Sequence, residues 1–590
     1  MDSFEAAWDF IKNEKQFQLG DIPTEQPNPL TRGLSARIAR DTCDGIACIL
    51  SADESIAPIA EQCFQTDAFA AFVTDVKRAI MQRRRVLLTS VGASGRMALQ
   101  LDSTWKQFWM SLIEKIPLRA QEWLDISHCT DSQMTGGDRA CVRSVENFED
   151  YMTFGAQQII DAGVKPGDVV ITLAECGLSS STIGAAMEAQ RQGCKVYYLY
   201  CNPKEILCEK LERAAKVFAC EEIVFMPLFV GNMAVSGSTR MQVTTIELLV
   251  AGAALELGSD AYLKEHCTEE ELQAIGAGTL EPLQYARQFA ALVEQLMGDN
   301  ALCAMAKAVE YETDTYSRGG LITYTTHAYL QDILTDTTER QPTFTLPPFR
   351  KRDETDAPLS WAYAKDPLYP SNIAWQHILR RPIQGLAWTP EDYRRMGAAQ
   401  TIVDNPPQVG SDELLAYAIG NERDQTRFSK KPAHLMCVDV DGASARDGSY
   451  EWYQENVKDF DGGLVLRLGD IPKAVLEEGE IRISVALPRT IMSLLPHLMV
   501  KLVFNLLSTA TMAKMGRVLS NWMIQVLPTN KKLIDRSVRI IAELAQIPYE
   551  RACEEFFKSY ILRPKGEEYR ESYVVETLKR LGIDLEQLTR

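Results

Sequence analysis

Three short runs of small and hydroxyl-bearing residues punctuate the first half of this 590-residue chain: Val91-Gly92-Ala93-Ser94-Gly95-Arg96, Gly177-Leu178-Ser179-Ser180-Ser181-Thr182 and Ser236-Gly237-Ser238-Thr239-Arg240. Where such a run leads into a helix, backbone N–H groups, hydroxyl donors and the positive end of the helix dipole can converge on one anion. That is the chemistry of a phosphate cradle. A single Ser-Gly-Arg turn usually does no more than start a helix, but three of them after successive strands point to a shared ligand. Metal chemistry is not expected. Fourteen cysteines lie scattered without CxxC pairs, and the six histidines show neither HExxH nor HxxxH spacing.

The elements that must position these runs follow from hydrophobic pattern. Residues 85–90, 167–173 and 195–200 read as buried strands. Helical patterns over 97–109, 183–192 and from Glu205 follow them. Alternating strand and helix implies a parallel sheet covered on both faces, with ligands bound at the carboxyl ends of its strands. After a helical connector over 282–308 the grammar resumes, with strands expected at 320–325, 433–440, 463–467 and 481–486 and a helix at 328–334. The loop of this second copy, Thr325-Thr-His-Ala-Tyr329, lacks glycine, so its backbone approaches a phosphate poorly and the copy is expected to have lost the anion pocket. The stretch 345–370 reads as a surface excursion. Segments 498–512, 536–544 and 550–560 read as helices of a terminal all-α domain. The expected fold class is therefore α/β: two tandem doubly wound, flavodoxin-like sandwiches and a helical C-terminal lid. The expected divisions are a helical or extended segment at 1–44, a first α/β domain at 45–270, a second, degenerate one at 271–495, and the lid at 496–590.

Composition narrows the partners. A net charge of −18 repels polyanions and anionic headgroups, so neither nucleic acid nor a membrane surface is expected as a partner. No stretch reads as long enough to span a bilayer, and no signal peptide opens the chain. Unpaired cysteines suit a reducing cytoplasm. Trp105 and Trp109 read as core, and Arg83-Arg84-Arg85 as a solvated face or a partner surface.

Several runs together carry a resemblance. Ser94-Gly95-Arg96-Met97, Gly136-Gly137-Asp138-Arg139 followed by Glu146-Asn-Phe-Glu149-Asp150, Cys201-Asn202-Pro203 and Ser236-Gly-Ser-Thr-Arg-Met241 resemble the sugar isomerase (SIS) domain family. So do Lys501 to Ala510, Gly516-Arg-Val, Asn521-Trp-Met and Thr529-Asn-Lys-Lys-Leu533 near the C-terminus. Within the family they resemble the branch holding N-acetylmuramic acid 6-phosphate etherase and glucokinase regulatory protein. The fused two-copy layout is most similar to the latter. The resemblance implies a sugar-phosphate site in the first domain, with Ser94, Gly95, Arg96, Ser179, Ser180, Ser238, Thr239 and Arg240 about the phosphate, Glu149 on the sugar and Lys532 closing from the lid. It also implies no cofactor, an internal pseudo-dimer that is monomeric overall, and a protein partner such as a sugar kinase.

The alternative implied by the etherase is a lyase that eliminates lactate with one carboxyl as base and another as acid. Glu149 matches one of these. The other is expected eight residues after Arg96, where Thr104 stands; Glu339, in Asp336-Thr-Thr-Glu-Arg-Gln-Pro-Thr-Phe344, occupies the corresponding place in the second domain and would have to be supplied across the domain interface. Gln242 stands where the family usually carries lysine, which weakens the field for a dianion. An aldose–ketose isomerase is a more distant alternative, for which no base and ring-opening group is found.

Overall fold

The computed structural model describes residues 2–145, 147–471, 478–528, 530–563 and 571–585. Glu146 and Thr529, both in runs that carry the resemblance, lie outside the described residues. The central strands are short apolar runs buried on both faces, as helix-covered parallel strands must be. In the first sheet these are β1 (Val86–Ser90), β2 (Thr130–Met134), β3 (Val169–Leu173), β4 (Lys195–Tyr200) and β5 (Val224–Pro227), all parallel in the order β2-β1-β3-β4-β5. The second sheet holds β6 (Leu321–Thr325), β7 (Ala362–Lys365), β8 (Ala433–Val440), β9 (Gly462–Gly469) and β10 (Glu480–Ser484), in the order β7-β6-β8-β9-β10. Counted from its own first strand, the second sheet repeats the winding of the first, the flavodoxin-like order.

Three strands differ from expectation. β2, β5 and β7 are not among the expected strands: β2 and β7 lie at sheet edges and lack a long apolar run, whereas β5, at the opposite edge of the first sheet, lies in the apolar run 223–230. In β2, Thr130-Asp-Ser-Gln-Met134 alternates between buried and part-buried positions, so the chain needs no continuous apolar stretch there. β7 lies inside the stretch read as a surface excursion, and its Ala362 and Ala364 are buried against β6.

Six helices position the site: α1 (Gly92–Lys115), α2 (Ser180–Arg191), α3 (Gln242–His266), α4 (Leu330–Phe344), α5 (Leu494–Lys514) and α6 (Lys531–Ala545). Trp105 and Trp109, both on α1, are fully buried. Every residue from Leu494 to Ala513 of α5 is buried, and the helix packs against α3, α4 and the helix Asp299–Ser317. Contrary to the reading that no stretch reaches that length, α5 is long and apolar enough to cross a bilayer; here it is the pillar between the two α/β units. The closing element is instead α6 with its neighbours Tyr549–Leu562 and Tyr573–Arg580. The N-terminal helix Ser3–Asn13 docks on Tyr549–Leu562, so the two chain ends form one helical layer. Buried Glu25 stitches this layer with charge-assisted hydrogen bonds from Arg536 (2.6 and 2.9 Å) and Arg539 (3.1 Å).

Candidate functional site

The carboxyl ends of β1, β2 and β3 open into a cavity of about 190 Å³. Its floor is the start of α1 and the turn before α3, and its walls are the segment after β2 and the loop after β3. α6 covers it from above, and one turn of α4 enters from the second domain.

Gly237, Ser238, Thr239 and Arg240 line the cavity. Gly237, with φ +73°, holds the turn in the left-handed region, and the Arg536 side chain lies directly over it. The Arg240 guanidinium is spent on Asp336 (2.8 Å), Ser508 (3.0 Å) and Thr509 (2.9 Å), so it fixes the turn to α4 and α5. Gln242 donates to Asp53 (3.1 Å) and accepts from the Ala234 N–H (3.1 Å). A buried ammonium reaches the turn from elsewhere. Lys501 of α5 donates to the Arg240 and Met241 carbonyls at 3.0 and 3.2 Å, and burial pushes it down to about 7.

The first run is a correction. α1 begins at Gly92, so Ser94, Gly95 and Arg96 are already helical and only Gly92 and Ala93 of that helix face the cavity. The Ser94 hydroxyl turns away to donate to Glu247 of α3, and Gly95 lies against the Met134 side chain. Arg96 is buried and donates to the Cys141 carbonyl (2.8 Å), Thr338 (3.2 Å) and the Glu339 carboxylate. In the second run Ser179 stands just before α2 without a side-chain capping bond and Ser180 begins the helix, both away from the cavity lining. The loop after β3 instead presents Glu175, which adopts φ +55° and accepts the Thr239 hydroxyl.

Two more carboxylates face the same space. Glu149, from the turn Phe148–Asp150, accepts from Asn530 at 3.0 Å and lies 3.5 Å from the Lys532 ammonium. Burial works against the Lys532 charge, but Glu149 and Glu175 outweigh it and hold the ammonium above the ordinary lysine range. Burial raises the Glu175 carboxyl, and the nearby Glu149 and Glu339 charges add to this against the pull of Lys532 and Thr239.

Glu339 reaches this cavity from the second domain. Its position explains Thr104. Glu339 stands fourteen residues past Thr325, the last residue of β6, and Thr104 stands fourteen past Ser90, the last of β1. The two helices exchange these side chains across the domain interface. Thr104, its hydroxyl returned to the Gln100 carbonyl (2.8 Å), lines a crevice of only about 20 Å³ beside His327 and Ala328 of the second domain. The carboxyl missing at Thr104 is therefore missing from the second-domain crevice, while Glu149 and Glu339 share the first-domain cavity.

Glu175, Asn530 and Lys501 are functional candidates that the sequence reading passed over. Position at the carboxyl end of β3 was a usable signal for Glu175, and a lysine inside an apolar helix was one for Lys501.

Comparison with known proteins adds kinship. The family model described as the glucokinase regulatory protein N-terminal SIS domain matches residues 68–191. N-acetylmuramic acid 6-phosphate etherase of Pseudothermotoga lettingae is 30% identical over 234 residues, covering 39% of this chain and 68% of the relative. The Clostridioides difficile protein of that name is 27% identical over 210 residues, 36% of this chain, which spans about 60% of the relative's length. Among solved structures, tagatose-6-phosphate ketose/aldose isomerase from Escherichia coli aligns with a TM-score of 0.39 and 10% identity, covering 82% of this chain and 95% of that one. The chain belongs to the sugar isomerase (SIS) domain family, related both to glucokinase regulatory protein and to the N-acetylmuramic acid 6-phosphate etherases.

Proposed function

We propose that the first-domain cavity binds a hexose or amino-sugar phosphate and that the protein reports its occupancy through the C-terminal helices, in the manner of a regulatory protein. One observation carries this reading: Glu149 on the cavity wall is held by Asn530 and Lys532, which belong to the covering layer. A ligand whose hydroxyls take Glu149 and whose phosphate takes Lys532 would exchange the contacts that seat α6. Occupancy and the position of α6 are then linked, and a protein partner such as a sugar kinase that touches this layer would feel the ligand. The phosphate would sit on the turn Gly237–Arg240 and the start of α1, and the sugar toward Glu149 and Glu339. Free thiols at all fourteen cysteines support a reducing, cytoplasmic setting.

A second reading is an etherase-like lyase, favoured by the placement of Glu149 and Glu339 about one cavity as a carboxyl pair. Against it, both carboxylates are already engaged, Glu339 by buried Arg96 and Glu149 by Lys532 and Asn530. Calorimetric titration with fructose 1-phosphate, fructose 6-phosphate and N-acetylmuramic acid 6-phosphate, run beside a lactate-release assay on the last, separates the readings. Saturable binding without lactate supports the sensor. Lactate release that disappears in Glu149→Ala establishes the lyase.

A further inference from the structure

We infer that Glu175 is a selectivity element standing in the anion position of the cavity, so that a sugar phosphate enters only as Glu175 takes up a proton. This rests on the sugar-phosphate reading above. The carboxylate bridges the two elements best placed to hold a phosphate. It accepts the Thr239 hydroxyl of the third run, and its Oε2 lies 3.9 Å from where a Cβ on Gly92 would stand, at the N-terminal start of α1. An internal carboxylate thus uses the helix end and the hydroxyl that an external phosphate needs.

Charge balance demands the proton. Of the cations at the cavity wall, Arg240 is spent on Asp336 and Arg536 on Glu25, leaving the Lys532 ammonium for Glu149 and Glu175 together. A dianion added to these would gather two carboxylates and a phosphate around a single ammonium. A proton from solvent on Glu175 removes one charge, frees the Thr239 hydroxyl to turn to the phosphate, and supplies an O–H donor beside it.

The groups facing Glu175 pull both ways: burial, Glu149 and Glu339 raise it and outweigh Lys532 and the Thr239 hydroxyl, which lower it. Lys532 approaches from α6, Glu149 from the turn after β2 and Glu339 from α4. From α3, Glu247 accepts the Glu175 backbone N–H at 2.7 Å and is pushed up to about 8, chiefly by burial, with the Glu175 charge adding to it. The thiols of Cys176 and Cys201 lie nearby, driven well upward by burial and so neutral.

The test is calorimetric titration of the full chain with fructose 6-phosphate and N-acetylmuramic acid 6-phosphate. Buffers of different ionisation enthalpy are used above the second phosphate pKa of about 6. Wild type should take up about one proton per ligand, with affinity falling up to about tenfold per pH unit once Glu175 is ionised. Glu175→Gln should bind about tenfold or more tightly near neutral pH, with no proton uptake and no such slope. Binding by Glu175→Gln that is equal or weaker overturns the inference, as does binding by wild type without proton uptake. Uptake that survives in Glu175→Gln but vanishes in Glu247→Gln assigns the proton elsewhere and also overturns it. Absence of binding in wild type and Glu175→Gln at every pH refutes the sugar-phosphate reading itself.

Discussion

Glu339→Gln probes the joint on which the site depends. Arg96 is 2% exposed and Glu339 10%, and they belong to different α/β units, so their ion pair is buried at the domain junction. Removing one partner of a buried pair typically costs about 3–5 kcal/mol, because the remaining charge is left in a poorly solvating interior. Arg96 keeps acceptors at the Cys141, Gly92 and Ala140 carbonyls and Thr338, and the glutamine oxygen can still accept, so the low end, about 3 kcal/mol, is expected. The control is Glu212→Gln. Its partner Lys216 is 58% and Glu212 itself 85% exposed, and so exposed a pair contributes little to stability. Urea unfolding followed by tryptophan fluorescence measures both, and hydrogen exchange across α1 and α4 locates the loss at the junction. A Glu339→Gln penalty indistinguishable from that of Glu212→Gln would refute the claim that this pair joins the two units.

Lys532→Met should weaken sugar-phosphate binding about tenfold to a hundredfold, the loss of a charge-assisted bond of about 1.5–3 kcal/mol, read by calorimetry. Thr239→Val should weaken it too, whereas Ser179→Ala should change affinity less than about twofold, because Ser179 lies off the cavity wall. Acid should release the helical layer. Burial opposes ionisation of Glu25, but Arg536 and Arg539 prevail and hold it at about 2 against an ordinary 4.5. A carboxyl with a depressed folded pKa contributes fully above its unfolded pKa and loses that contribution as pH falls toward the folded one. About 3 kcal/mol should therefore vanish between about pH 5 and pH 2. Limited proteolysis of α6 against pH, with Glu25→Gln already losing that protection at neutral pH, checks the sign. Gly184→Val should disrupt the fold under the second run, since even a Cβ there would sit 1.9 Å from the Met152 carbonyl oxygen; circular dichroism melts would show it.

The central strands β1, β3, β4, β6 and β8 were legible because strands covered by helices on both faces must be apolar throughout. Edge strands carry no such demand, which is why Thr130-Asp-Ser-Gln-Met134 shows no continuous apolar run. Motif chemistry was legible in type more than in direction. Ser94 is the right residue for a phosphate, but one turn inside α1 its hydroxyl points at Glu247, whereas Thr239, in an irregular turn, keeps its hydroxyl toward the cavity side. Glu175 was signalled only by its place at the carboxyl end of β3, its direction being set by a backbone that turns left-handed there, and the neighbourhood of Glu149 and Glu339 depends on the docking of two units, which no local pattern encodes.

The crossed placement of Thr104 and Glu339 changes what duplication means for this chain. Were two identical chains paired, any substitution at that helical position would strike both sites at once. Joined in one polypeptide, the halves answer to different constraints. A residue without a carboxyl at this position of α1 affects only the 20 Å³ crevice, while α4 is bound to the fortunes of its neighbour. The Asp336–Phe344 turns, which serve the neighbouring half's cavity, are therefore the part of the second half that should drift least.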